Sequence, residues 1–244
     1  MLRSPTWATV WTALRLAMAA LIVAAIVAQF VSTVAGAVDG GRDVLTTVTN
    51  FFSFFTILSN TASVVVLAWA GVRFLSRGRR LEPDPLALAA ALAWVSTYMV
   101  ITGVVYNLLL RGLPLQPETV GWSNEIMHVW GPLFLLLDLF LGPCRRRLPW
   151  KAALGAAIFP IVWIVYTLLR ANFITNPTTG TPYWYPYPFL NPYESSWGSV
   201  IGYIIGIAVT IVVVAVGAVA IGRARGSVHT PTDTGVSGRG IPPE

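Results

Sequence analysis

Six stretches of about twenty apolar residues dominate this chain, and that is the length needed to cross roughly 30 Å of hydrocarbon. They run from about 16 to 37, 51 to 72, 86 to 110, 122 to 141, 152 to 169 and 197 to 221. In lipid every backbone polar group must pair internally, which only helices and closed barrels achieve. The stretches show no period-two alternation of apolar and polar residues, so helices are expected. The fold class is therefore all-α, a polytopic bundle of six transmembrane helices. Only 11% of the residues are charged and 55% are apolar, which leaves no room for a separate soluble domain. Residues 1–225 make one membrane domain. The stretch 226–244 is rich in Gly, Pro, Ser and Thr and reads as a disordered cytoplasmic tail.

Charge sets the expected direction of the spans. Arg3 and Arg15 precede the first span, and Arg73, Arg77, Arg79 and Arg80 follow the second. Arg145, Arg146, Arg147 and Lys151 lie between the fourth and fifth, and Arg223 and Arg225 follow the sixth. The other three connections carry only Arg42, Arg111 and Arg170, with Asp39, Asp43, Glu118, Glu125 and Glu194. The positive-inside rule then puts both termini in the cytoplasm. It also accounts for the net charge of +6 without nucleic acid as a partner, since the cations sit in short clusters beside apolar runs. Arg in place of Lys, with abundant Ala, Val and Gly, suggests a GC-rich bacterial genome, and hence a bacterial plasma membrane. The single cysteine, Cys144, excludes an internal disulfide and falls on the reducing side. Ala35-Gly36-Ala37 after an apolar run also resembles a signal-peptide cleavage site. The run exceeds the usual 7–15 residues or so, which favours a retained first helix.

Polar groups inside spans are costly, and each is a functional candidate. In the second span Ser53, Thr56, Asn60 and Ser63 recur at helical spacing. In the fourth, Asn124 and His128 stand one turn apart. Both spans run inward, and Thr56 and His128 lie about 8–9 Å below the outer boundary at 1.5 Å per residue. A neutral imidazole at that depth could accept the proton of a threonine hydroxyl. Asn60, Asn124, Tyr106 or Asn107 could hold the ring or stabilise an oxyanion. The plain alternative is that Thr and Ser bond their own backbone or glue helices together. Asp138 is expected to pair with arginines or to reach the interface, and Glu125 to reach headgroups or water. The Pro- and aromatic-rich stretch 181–193 reads as an interfacial belt or as a cap over a cavity. No metal ligand set, dinucleotide fingerprint, P-loop or Gly-x-Ser-x-Gly elbow is present, so no metal and no cofactor are expected.

Three short motifs carry a resemblance. Phe54-Phe55-Thr56-Ile57-Leu58-Ser59-Asn60, then Trp122-Ser123-Asn124 with Met127-His128 and Pro132, then Tyr187-Pro188-Phe189-Leu190 resemble the androgen-induced-gene family of membrane proteins. The likeness extends from the first span through the sixth. It implies an intramembrane threonine hydrolase of fatty acid esters of hydroxy fatty acids, with Thr56 and His128 as catalytic residues. Membrane lipids or fatty acyl esters would be the partners, and no protein partner is implied. The chain departs from that family in a loop richer in Pro and Tyr, in a His128-to-Pro132 spacing one residue shorter, and in a second His that is replaced by Glu125 or absent. Beside the hydrolase stands a different class, a non-enzymatic lipid-binding or small-molecule transport protein.

Overall fold

The computed structural model describes residues 4–226. The expected tail, apart from Gly226, lies outside the described residues. Six helices are long and apolar enough to cross a membrane: α1 (Pro5–Asp39), α3 (Phe55–Ser76), α4 (Leu86–Leu110), α5 (Gly121–Leu141), α6 (Ala152–Ala171) and α7 (Trp197–Arg225). A short helix, α2 (Val44–Phe51), precedes α3. Among the described residues there is no strand, and the chain is an all-helical, multi-pass bundle.

Side-chain caps fix several helix starts by satisfying orphan backbone donors. Ser4 accepts from Trp7 N at 3.1 Å, just before Pro5 opens α1. Asp43 caps α2 through Thr46 N at 2.7 Å, and Ser196 caps α7 through Ser199 N at 3.2 Å. The centre of the bundle is α4, which packs on α3, α5 and α7. Its most apolar window is 72% buried, against 22% for α1 and α7, which face lipid over most of their surface. Apolar tails gain nothing by leaving lipid for protein, so close packing and hydrogen bonds must hold such helices together. Gly71 admits the Leu16 side chain where a Cβ would collide with it, and Ser59 and Thr102 bond across α3 and α4 at 3.0 Å.

The start of α1 and the ends of α5 and α7 meet at one end of the bundle, the terminal end. Trp7 Nε1 donates to Leu141 O at 3.0 Å, and Arg225 Nη1 donates to Leu139 O at 2.8 Å. The opposite end, built from the connections after α1, α4 and α6, is the site end.

Two boundaries differ from expectation. The first helix begins at Pro5 rather than near 16, because Trp11 and Arg15 are buried against α5 instead of lying among headgroups. Arg15, expected as a flanking cation, binds Asp138 at 2.8 and 3.0 Å. Trp11 Nε1 and Arg145 Nη2 complete the cluster at 2.5 and 2.7 Å, so the buried carboxylate is fully engaged, as its burial demands. The second span breaks in two. Phe52 to Phe54 leave the helix, and α3 begins at Phe55. Trp163 Nε1 takes up the freed Ser53 carbonyl at 2.9 Å, while Phe51 packs edge-on with Phe30 and Phe52, and Phe52 lies tilted against Phe30. Ser53 therefore stands in the break and not on the face of α3 that carries Thr56, Asn60 and Ser63.

Candidate active site

Thr56 is the second residue of α3, so its N–H is one of the donors a helix start leaves without an intrahelical partner. Tyr187, from the loop between α6 and α7, fills that place. Its hydroxyl lies 3.3 Å from Thr56 N and 3.3 Å from Thr56 Oγ1. On the other side of the same hydroxyl stands His128 Nε2, at 3.2 Å. The two residues expected to share a depth are in contact.

The hydrogen bonds fix the protons. His128 Nδ1 lies 2.9 Å from the Asn124 carbonyl oxygen, which can only accept, so the ring carries its proton on Nδ1. Nε2 then presents a bare lone pair to Thr56. The threonine donates its one hydroxyl proton to Nε2, and Tyr187 donates its own to Thr56 Oγ1 while accepting from Thr56 N–H. Burial pushes the Tyr187 hydroxyl above its ordinary range, so it stays a donor. Tyr106 lies flat against the imidazole, with ring centroids 4.0 Å apart and planes 23° apart, and its hydroxyl receives Asn124 Nδ2 at 2.5 Å.

The turn that presents His128 has a local cause. Pro132 has no N–H, so the carbonyl one turn before it, His128 O, loses its helical donor. Gly131 N reaches back to Ile126 O, which widens Ile126–Trp130 into a π turn and leaves Met127 O free as well. Two amides take up these carbonyls: Asn60 Nδ2 donates to Met127 O, and Asn107 Nδ2 donates to His128 O, each at 3.2 Å. Asn60 also donates to Thr56 O at 2.9 Å, so it ties the Thr56 backbone to the widened turn that carries His128. Gly103 leaves room for Pro132, since a Cβ there would stand 2.9 Å from the proline Cβ.

Of the four accessory residues expected from the sequence, Tyr106 and Asn124 reach the imidazole, Asn124 through its backbone carbonyl. Asn60 and Asn107 hold the widened turn and donate nothing toward the hydroxyl. Tyr187 was not singled out; it belongs to a Tyr- and Pro-rich run in which every aromatic suits a belt equally well. Glu125 forms a half-exposed pair with Arg111 at 2.8 and 2.9 Å.

Two chambers meet at Thr56. One, about 250 Å³, is almost wholly apolar and lies among α4, α6 and α7, with Trp163, Ile207 and Ile211 in its wall. The other, about 570 Å³, lies under the site-end loops and is lined by polar groups including Gln29, Arg42, Asn50 and Glu118. Thr56, Tyr106, Leu110 and Tyr187 border both, while His128 and Asn124 border only the polar one. Among family models, curated proteins and solved structures, nothing matches this chain.

Proposed function

We propose that this protein is an intramembrane lipid-ester hydrolase in which Thr56 is the nucleophile and His128 the general base and acid. The observation that carries the reading is the directed chain of hydrogen bonds from Thr56 Oγ1 to a His128 whose Nε2 is free to accept. A nucleophile within hydrogen-bond reach of a base, itself oriented by a third group, is the arrangement covalent catalysis requires. As Oγ1 attacks an ester carbonyl, its proton passes to Nε2. The tetrahedral oxyanion forms beside the Tyr187 hydroxyl and the Thr56 N–H, at the positive end of α3. Nε2 returns the proton to the departing alcohol. Water, deprotonated by the same nitrogen, then releases the fatty acid from the threonine.

The resemblance to the androgen-induced-gene hydrolases supports the same pair. Among the described residues, eleven Lys and Arg lie on the terminal side against Arg42, Arg111 and Arg170 on the other, which favours a cytoplasmic terminal end. The site would then face the outer leaflet of a bacterial plasma membrane. Purified protein is expected to hydrolyse a fluorogenic acyl ester, with kcat falling at least a thousandfold or so in Thr56→Ala and in His128→Ala. Undiminished hydrolysis in either variant would rule out the dyad. Saturable binding of the ester without turnover would favour a lipid-binding protein instead.

A further inference from the structure

The chambers differ in a way that assigns each half of a substrate. The apolar chamber follows α4 from Ile101 to Leu110 and α7 from Ile204 to Val212. At 1.5 Å per residue these segments span about 12–14 Å. An extended chain advances about 1.2 Å per bond, as a backbone does over its three bonds per residue. About ten acyl carbons therefore match the full length of the chamber, which Thr56 borders part-way along. The chamber also has a side opening. The first turn of α6 packs on α7, and Ile161 of α6 and Val212 of α7, which both line the chamber, are exposed.

The polar chamber carries two carboxylates, Glu118 and Glu194, against one guanidinium, Arg42, which is already bound to Glu118. The surrounding site end is also acidic, with Asp39, Asp43 and Glu125 beside Arg111 and Arg170. Hydrogen-bonding capacity remains there. Asn50 lines the chamber, is buried, and leaves its Nδ2 without a partner, while its Oδ1 is held by Arg170 at 2.8 Å. A free carboxylate entering this space meets like charge, whereas a neutral hydroxyl meets polar lining without that repulsion.

Resting on the hydrolase reading above, we propose that the substrate is divided at Thr56: an acyl arm from the bilayer enters the apolar chamber between α6 and α7, and an uncharged, hydroxyl-bearing alcohol occupies the polar chamber. The Thr56 Oγ1–acyl carbon bond forms as the acyl carbon–alkoxy oxygen bond breaks, and the proton held on His128 Nε2 goes to the alkoxide. The alcohol leaves on the polar side, where water can follow. Partial acylglycerols have this chemistry; esters whose alcohol bears a free carboxylate, including the fatty acid esters of hydroxy fatty acids that the resemblance implies, do not.

Detergent-solubilised full-length protein tests the assignment with 4-methylumbelliferyl acetate and decanoate, and with 1-decanoylglycerol and decanoylglycolic acid. In the double variant Ala157→Phe/Ala208→Phe, the ratio of decanoate to acetate kcat/KM is expected to drop at least tenfold. The glycerol ester is expected to exceed the glycolic ester at least tenfold at pH 7.5, with Glu194→Gln narrowing that gap. An unchanged acetate-to-decanoate ratio, or preference for the glycolic ester, overturns the proposal while Thr56-dependent hydrolysis upholds the dyad. Loss of the dyad reading is seen separately, as hydrolysis indifferent to Thr56→Ala. A decanoylglycerol photoprobe with a diazirine in its acyl arm reads the chamber without turnover. Crosslinks to Ile161, Ile207 or Ile211 support the assignment, and their absence overturns it.

Discussion

Every proton around Thr56 can be placed, and that is what makes the residue more than a helix-bonding threonine. The Asn124 carbonyl fixes the imidazole tautomer, Nε2 takes the threonine proton, and Tyr187 completes the ring of bonds. If Tyr187 donates to the oxyanion, Tyr187→Phe removes one hydrogen bond made mainly in the transition state. A kcat loss of about a hundredfold, with little change in KM, is then expected in steady-state ester hydrolysis. An effect on KM alone would make Tyr187 a wall of the chamber and no more. Thr56 and His128 were legible in the sequence because ionisable and hydroxyl groups inside a span stand out against an apolar background. Tyr187 was not, since its proximity depends on how the loop after α6 folds back over α3, and no local periodicity encodes that. Asn60 and Asn107 were legible as polar positions but not as clamps, because the carbonyls they serve are set free by a proline on another helix.

At the scale of the element, α5 gives up regular hydrogen bonding to place the imidazole. Pro132→Ala restores an N–H able to reach His128 O, which would tighten the turn and compete with Asn107. Esterase kcat is expected to fall at least about tenfold in that variant while thermal unfolding in detergent occurs at the same or a higher temperature, the mark of a turn kept for function. A lower melting temperature with full activity would mean that the proline serves packing alone. The number and order of the spanning helices were readable from hydropathy. The break between α2 and α3 was not, because Phe51 to Phe55 is as apolar as a continuous helix. Aromatic packing and the bond from Trp163 to Ser53 O decide the break, and with it the placement of Thr56 at a helix start.

The two ends of the molecule differ, with the Thr56–His128 pair at the site end and a buried ionic clamp at the terminal end. Arg15 and Arg145 hold Asp138, and the neighbouring Asp84 is buried with Oδ2 unpartnered. Burial raises the Asp84 carboxyl from 3.8 to about 6 against the pull of Arg15, Arg145 and Arg73. The folded state therefore prefers the neutral acid, and stability is lost as pH rises from about 4 through about 6. That difference corresponds to roughly 1–3 kcal/mol. Asp84→Asn is expected to raise the unfolding temperature at pH 8 and to match the parent protein near pH 4, as thermal scans at the two pH values would record. The six-helix architecture and the asymmetry of charge were visible from composition and spacing. The clamp was only half visible, because Arg15 reads as a flanking cation until α1 is seen to continue to Pro5.

The nucleophile itself can be observed directly by intact-protein and peptide mass spectrometry after treatment with an alkyl fluorophosphonate. A single phosphonyl adduct on the peptide bearing Thr56 is expected, absent in Thr56→Ala and strongly slowed in His128→Ala. An adduct that persists in Thr56→Ala, or no adduct on a protein that hydrolyses esters, would contradict Thr56 as the attacking group.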